Sequence, residues 1–257
     1  MAIDLSTARI LLSNDDGIDA PGLKMLERVA RSLSKDVWIV APEREQSGAG
    51  HSLTLRMPLR IRKAGPKRYA VDGTPTDCAL LAVNNIMRAK PPTLLLSGIN
   101  HGGNMGEDIT YSGTVAVAME GTLLGVPSIA FSLAVSNGAK PMWDTCAAVL
   151  PDVLRKLARH PWPANTLINV NVPNLPPVEI RGVKAVAQGQ RKLGGNIVEG
   201  KDPRGRPFYW IGPTRDEDAS AVGTDIWAVA QGYVAVTPVF MNMTHRTALT
   251  ELGEQFP

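Results

Sequence analysis

Asp15 and Asp16 are the first residues in this sequence able to do chemistry together. They follow the short apolar run Ile10-Leu11-Leu12 and precede Gly17. Adjacent carboxylates repel each other unless a cation or a proton intervenes. An all-oxygen pair of this kind suits a hard divalent ion such as Mg²⁺ or Mn²⁺. Taken alone, Asp-Asp-Gly reads first as a turn and only second as a metal or catalytic site. Two more polar loops carry related chemistry. One spans Ala41 to Ser52 and contains Ser47, Gly48, Gly50 and His51; the other spans Gly98 to Gly106 and contains Asn100 and Asn104. A hydroxyl and amide oxygens can serve a cation, and amide N–H groups can serve a phosphate. Ser112-Gly113-Thr114 stands ahead of an apolar stretch, where the start of a helix offers free N–H groups to an anion. His51, a single loop histidine, is more simply a hydrogen-bonding residue than a catalytic one.

These loops need a frame, and the sequence supplies one. Continuous apolar runs read as buried parallel strands, and they occur at 10–13, 37–40, 92–97, 127–132 and 167–172. Leu23, Leu26, Val29, Ala30 and Leu33 recur at helical spacing between the first two. Asp19 is placed to cap that helix, and Pro21 fits its first turn. Thr74 or Asp72 is placed to cap a second helix beginning at Pro75. Further helices are expected after Thr114 and from Trp143 to Ala158. Leu53, Leu55, Leu59 and Ile61 alternate with polar residues, which predicts a half-exposed antiparallel ribbon over 53–71, with Arg56, Arg60, Arg62, Lys63, Lys67 and Arg68 on its solvated face. Strand–helix–strand units cross over right-handedly, and open sheets built from them bind ligands beyond the carboxyl ends of their strands. All three polar loops fall at such ends. The expected fold is α/β: a three-layer αβα, Rossmann-like architecture on a mostly parallel sheet.

Composition turns after Pro176-Pro177, and residues 188–226 are rich in Gly, Pro and charge. Phe208–Ile211 and Tyr233–Pro238 read as isolated strands there. The expected division is a catalytic domain over 1–187 and a C-terminal extension over 188–257, a β-ribbon with a terminal helix. A ribbon unable to bury its own face packs on the parent domain or another subunit.

Bulk composition narrows the classes. The 257 residues carry a net charge of only +3, which makes no case for nucleic-acid binding. Two distant cysteines, Cys78 and Cys146, argue against a zinc site or a disulfide framework. No signal peptide or membrane-length apolar run is evident, so a cytoplasmic protein is expected. The phosphate motifs GxGxxG and GxxxxGK[ST] and the nucleophile elbow GxSxG do not occur.

Several blocks, in order, resemble the SurE (survival protein E) family of metal-dependent nucleotidases. They are Ile10 to Gly17, Ala41-Pro42 through Ser47 to Ser52, Asp72-Gly73-Thr74-Pro75-Thr76-Asp77, Ser97 to Asn100, Gly103 to Gly106, and Tyr111 to Thr114. The resemblance implies one divalent ion per subunit, Mn²⁺ or Mg²⁺, held by Asp15, Asp16, Ser47 and Asn100. It implies phosphate contacts from Asn104, Ser112, Gly113 and Thr114, with Asp15 and Asp16 also catalytic. The implied activity is hydrolysis of nucleoside 5′- and 3′-monophosphates, with polyphosphate hydrolysis as a side activity. The implied assembly is a homodimer or homotetramer that exchanges C-terminal segments. The alternatives are a non-catalytic nucleotide or anion sensor on the same fold and an enzyme acting chiefly on polyphosphate.

Overall fold

The computed structural model describes residues 2–136, 138–193, 197–211 and 215–256. Residues 1, 137, 194–196, 212–214 and 257 belong to the two spans expected above and lie outside the described residues. In chain order the strands and helices are β1 (Arg9–Ser13), α1 (Pro21–Arg31), β2 (Asp36–Pro42), β3 (Ile61–Gly65), β4 (Arg68–Val71), α2 (Pro75–Leu81), β5 (Leu94–His101), α3 (Gly113–Leu123), β6 (Ser128–Ala134), α4 (Trp143–Arg159) and β7 (Thr166–Pro173). They continue with β8 (Val183–Ala185), β9 (Arg191–Leu193), β10 (Ile197–Lys201), β11 (Pro207–Ile211), β12 (Arg215–Glu217), α5 (Asp225–Ala230), β13 (Val234–Phe240) and α6 (Arg246–Gln255).

One sheet organises the chain, in the order β3-β4-β2-β1-β5-β6-β7-β13-β8. Its centre, from β4 through β7, is parallel throughout; β3 and β13 pair antiparallel with β4 and β7. Successive residues of a strand face opposite sides, and here both sides are covered. Ile10 and Leu12 pack with Leu23 and Leu26 of α1 and Leu150 of α4. Leu11, between them, packs with Cys78 and Ala79 of α2 and Val117 of α3. That two-sided burial is why β1 reads as an unbroken apolar run.

The connection from β1 passes through α1 to β2, and the chain later returns across β1 to form β5 on the other side. The direction of winding therefore reverses between β1 and β5, where loops diverge and leave a crevice above the strand ends. α1 approaches that point closely: a Cβ on Gly22 would collide with the carbonyl oxygen of Ile99, so only glycine fits.

Four local expectations change. The ribbon is shorter than expected, because 53–59 carries no strand and only Ile61–Gly65 and Arg68–Val71 pair. Its basic face is largely neutralised: Arg60, Arg62, Lys67 and Arg68 meet Asp72, Glu43, Asp36 and Glu27. Asp19 does not cap α1; Ala20 holds that position without a side-chain bond, and Asp19 lies 3.8 Å from Arg68. Finally, the strand at 234–240 is not isolated. It pairs with β7 on one edge and β8 on the other, so an element from the expected extension sits inside the main sheet. The alternation Val234-Ala235-Val236 is too short to show that pairing in sequence. Thr74 does cap α2, in a reciprocal box with Asp77, which also accepts from the Thr54 N–H. This gives the Gly73-Thr74-Pro75-Thr76-Asp77 block a structural reason.

β1 and β2 are clasped at their starts by Asp36, whose carboxylate accepts from Arg9 Nε at 2.8 Å, Lys67 Nζ at 2.7 Å and Trp38 Nε1 at 2.8 Å. Burial pushes this carboxyl upward, but the bonds from Lys67, Trp38 and Arg9 outweigh it and hold the group at about 2, below the ordinary 3.8. A depressed carboxyl contributes stability above its unfolded value and loses it as pH falls through the folded one. The site is well solvated, so the contribution is about 1 kcal/mol at most. Asp36→Ala should therefore lower the urea midpoint at pH 7, with the difference from wild type shrinking between pH 4 and pH 2. A difference independent of pH would exclude this ion cluster as its source.

Candidate active site

The ends of β2, β1 and β5 are neighbours in the sheet, and their loops meet over the crevice. At the end of β1 the Asn14 side chain donates to the Gly17 carbonyl at 2.9 Å and tightens the turn. Gly17 has φ +98°, a conformation that favours glycine. Asp15 is buried and Asp16 half-buried. The Gln46 N–H donates to the Asp15 carbonyl at 2.8 Å, which ties the loop after β2 to the end of β1.

Asp15, Asp16, Ser47, Asn100, Asn104 and Ser112 all line one cleft of roughly 320 Å³. Gly113 and Thr114 stand behind it. The Thr114 hydroxyl donates to Asp15 Oδ1, and Thr114 itself is fully buried. A Cβ on Gly113 would lie 2.6 Å from Asp15 Cβ and 2.9 Å from its Oδ2, so α3 can start this close only with glycine there. The Ser112 hydroxyl accepts the Val115 N–H and caps α3. Ser47 donates to Glu45 at 2.9 Å, and the Asn100 amide donates to the Gly102 carbonyl at 2.9 Å, with its oxygen left for another partner.

The electrostatics are one-sided. Burial raises the Asp15 carboxyl, opposed by its bond from Thr114. Burial first, and then the charge of Asp15, push Asp16 up to about 7. Glu45 and Asp108 add further carboxylates to the wall, while no Lys or Arg is among the described lining residues. Asp108 itself is paired with Arg191 at 3.3 Å. Such a cleft repels a phosphate unless a cation comes with it. Two carboxylates, a hydroxyl and an amide oxygen make a donor set fit for Mg²⁺ or Mn²⁺, which take hard oxygen ligands and retain water. Among the described residues no group of three or more His, Cys, Asp or Glu is arranged around a metal position. The set that fits here depends on neutral oxygens for half its members.

Residues that sequence reasoning missed hold the β5 loop in place. Asn171 Oδ1 accepts the Asn104 N–H at 2.9 Å, while Asn169 and Asn171 both donate to the Asn104 carbonyl. The Asn104 amide donates to Ser132 Oγ at 2.8 Å. Buried Asp225 of α5 accepts the N–H groups of Gly106 and Gly189 at 3.0 and 2.8 Å. Asn169, Asn171 and Ser132 occupy apolar strands, and polar residues inside such runs were the available signal. His51 lies outside the cleft lining and pairs with buried Glu120 of α3 at 3.0 Å, which pins the far end of the Ser47 loop.

Thr114 supplies a direct test of this geometry. Removing its hydroxyl in Thr114→Val leaves a buried carboxylate short of a donor, at a cost of about 1–3 kcal/mol. The proton then competes better for Asp15, and Mn²⁺ binding measured by calorimetry should weaken about tenfold or more. Wild-type affinity in a folded variant would disconnect Thr114 and Asp15 from any metal site.

Comparisons with known proteins bear on the family and the fold. A family model described as Survival protein SurE matches residues 10–195. A protein of Paramagnetospirillum magneticum named 5′-nucleotidase SurE is 55% identical over 253 residues, covering 98% of this chain and 97% of its own. One of the same name from Rhodospirillum rubrum is 53% identical over 256 residues, covering 98% of each. The crystal structure of the SurE protein from Aquifex aeolicus superposes with a TM-score of 0.84 at 44% identity, covering 96% of this chain and 99% of that one. On sequence and fold alike, the chain belongs to the SurE family.

Proposed function

We propose that this protein is a nucleotidase that hydrolyses nucleoside 5′-monophosphates to nucleoside and phosphate. Its relatives carry the name 5′-nucleotidase over nearly the full length of the chain. The observation that carries the reading is an acidic cleft, with no Lys or Arg among its described lining residues, placed where the winding of the sheet reverses. An anion sensor acting by itself would place positive charge there, so the geometry favours a metal-assisted enzyme over the sensor.

Divalent-metal dependence goes with the family; the ion and its ligands are this reading's own. Asp15, Asp16, Ser47 and Asn100 would hold one Mn²⁺ or Mg²⁺. A divalent ion bound there would neutralise phosphate charge and lower the pKa of a water so that it gives up a proton more easily. Asn104 and Ser112, both on the cleft wall, orient the phosphate oxygens, with the start of α3 at Gly113 adding favourable dipole field. Thr114, buried away from the cleft, enters through Asp15, whose carboxylate it fixes. Asp16, which Thr114 does not engage, would be the group that accepts the proton of the attacking water. Charge growing on the phosphoryl oxygens is thus met by groups already in place, which is where most catalytic stabilisation arises.

The same site admits 3′-monophosphates, and short polyphosphate as a side substrate, since the recognition is centred on phosphate. The protein acts in the cytoplasm; no helix of the described residues is long and apolar enough to cross a membrane. It assembles as a homodimer or homotetramer through the β10–β11 ribbon, where Ile197, Phe208, Tyr209, Trp210 and Ile211 are exposed. An apolar ribbon of this kind is more stable covered than in water.

The experiment is phosphate release from a panel of nucleoside monophosphates with Mn²⁺, with Mg²⁺ and after chelation, for wild type and Asp15→Asn. Metal-dependent release, reduced by about 10³-fold or more in the variant while the circular dichroism spectrum is kept, is expected. Release that survives chelation would refute the metal role. Absence of release with any metal from folded protein would leave the sensor in its place.

A further inference from the structure

Arg191 opens β9, at the base of the C-terminal segment, yet it is fastened to the wall of the acidic cleft. Its Nε lies 3.3 Å from Oδ2 of Asp108, and the two side chains are only 11% and 4% exposed. Asp108 lines the cleft, whereas Arg191 is not among its described lining residues and stands behind the wall. We propose that Arg191 is a positioning residue for the reaction: it holds the turn Gly106–Thr110 in place and offsets the charge of Asp108, so that this carboxylate does not repel the phosphate. The proposal rests on the nucleotidase reading.

The turn is held from the side of residues 188–191. The Arg191 N–H donates to the Glu107 carboxylate, and the Gln188 side-chain amide donates to the Gly106 carbonyl at 3.0 Å. Asp225 joins the two segments by accepting the N–H groups of Gly106 and Gly189 at 3.0 and 2.8 Å. A Cβ on Gly106 would lie 2.9 Å from both N and Cβ of Arg191, and Gly106 has φ +54°, so glycine is what lets the turn press this close. From the turn the placement passes into the cleft. The Asp108 carbonyl accepts the N–H groups of Tyr111 and Ser112 at 3.0 and 3.1 Å, and both of those residues line it.

The charge argument has a sign that distinguishes it from simple support. A buried carboxylate deprived of its partner keeps a strong field, because little water screens it. Beside a phosphate dianion that field opposes binding; beside a divalent cation it favours binding. Loss of Arg191 therefore moves substrate and metal affinity in opposite directions. A turn that merely loosened would weaken both.

The test compares Arg191→Met, Asp108→Asn and the double variant with wild type at pH 8, well above the ordinary carboxylate range. KM and kcat for adenosine 5′-monophosphate are measured at saturating Mn²⁺, and Mn²⁺ affinity is measured by calorimetry on the metal-free protein. Arg191→Met should raise KM by about tenfold or more with kcat changed less than about threefold, while Mn²⁺ binds at least as tightly as in wild type. Adding Asp108→Asn should return KM to within about threefold of wild type. Asp108→Asn alone should leave KM no higher than wild type and weaken Mn²⁺ binding. An unchanged KM in Arg191→Met overturns the proposal, and so does weakened Mn²⁺ binding in that variant. If Arg191→Met does not fold, the other two variants decide: KM near or below wild type in both supports the proposal, and KM raised in either assigns Arg191 to substrate contact or general support and overturns it. Wild type inactive on the nucleotide overturns the nucleotidase reading and the proposal with it; wild type that is active leaves that reading standing whatever the variants do.

Discussion

Repulsion between Asp15 and Asp16 is the constraint that the rest of the structure serves. Two carboxylates on consecutive residues, one buried and one half-buried, are an unfavourable arrangement for a folded chain without a cation. No arginine or lysine is among the described residues that line the cleft. The fold surrounds the pair with Glu45, Asp108 and neutral oxygens, and turns the Thr114 hydroxyl onto Asp15. Burial and mutual charge then drive Asp16 up to about 7, so the pair takes up a proton or a positive ion far more readily than exposed carboxylates do. An acidic cleft that awaits a cation and an anionic substrate is consistent only if the two arrive in one site.

That arrangement has to be maintained against the tendency of loops to move. The cost is met by elements far apart in sequence. Winding reversal between β1 and β5 brings the carboxylates beside Asn100, while the Gln46–Asp15 bond and the His51–Glu120 pair fasten both ends of the Ser47 loop. The strand ends of β6 and β7 send Ser132, Asn169 and Asn171 upward to hold Asn104. A buried polar network specifies position strongly when its members are satisfied. Close approach supplies the rest: Gly22 against Ile99 and Gly113 against Asp15 let two helices come nearer than any side chain would permit.

Much of this was legible in the amino-acid order, for identifiable reasons. A strand buried on both faces shows itself as an unbroken apolar run, and so β1, β2, β5, β6 and β7 could be placed. The ends of three of those runs contained the polar residues that the structure gathers into one cleft. Thr114 was legible as a helix-start residue, but its bond to Asp15 spans 99 positions, a separation no local pattern carries. The same holds for β13, whose partner β7 lies far upstream and whose short alternation matches an isolated ribbon as well as a sheet strand. Asp19 misled because composition allows a cap wherever Asp precedes a helix, while the backbone decides which residue occupies it. The basic residues over 56–68 pair mostly with carboxylates from other elements, and those pairs exist only once the sheet is assembled.

The most direct test of the central claim is a crystal structure grown with Mn²⁺, with data collected at a wavelength where manganese scatters anomalously. The account predicts a single strong anomalous peak per subunit, about 2.1 Å from oxygens of Asp15 and Asp16, with Ser47 and Asn100 completing the protein ligands. A peak elsewhere, or an Asp15–Asp16 pair that stays free of manganese at saturating metal, would contradict it.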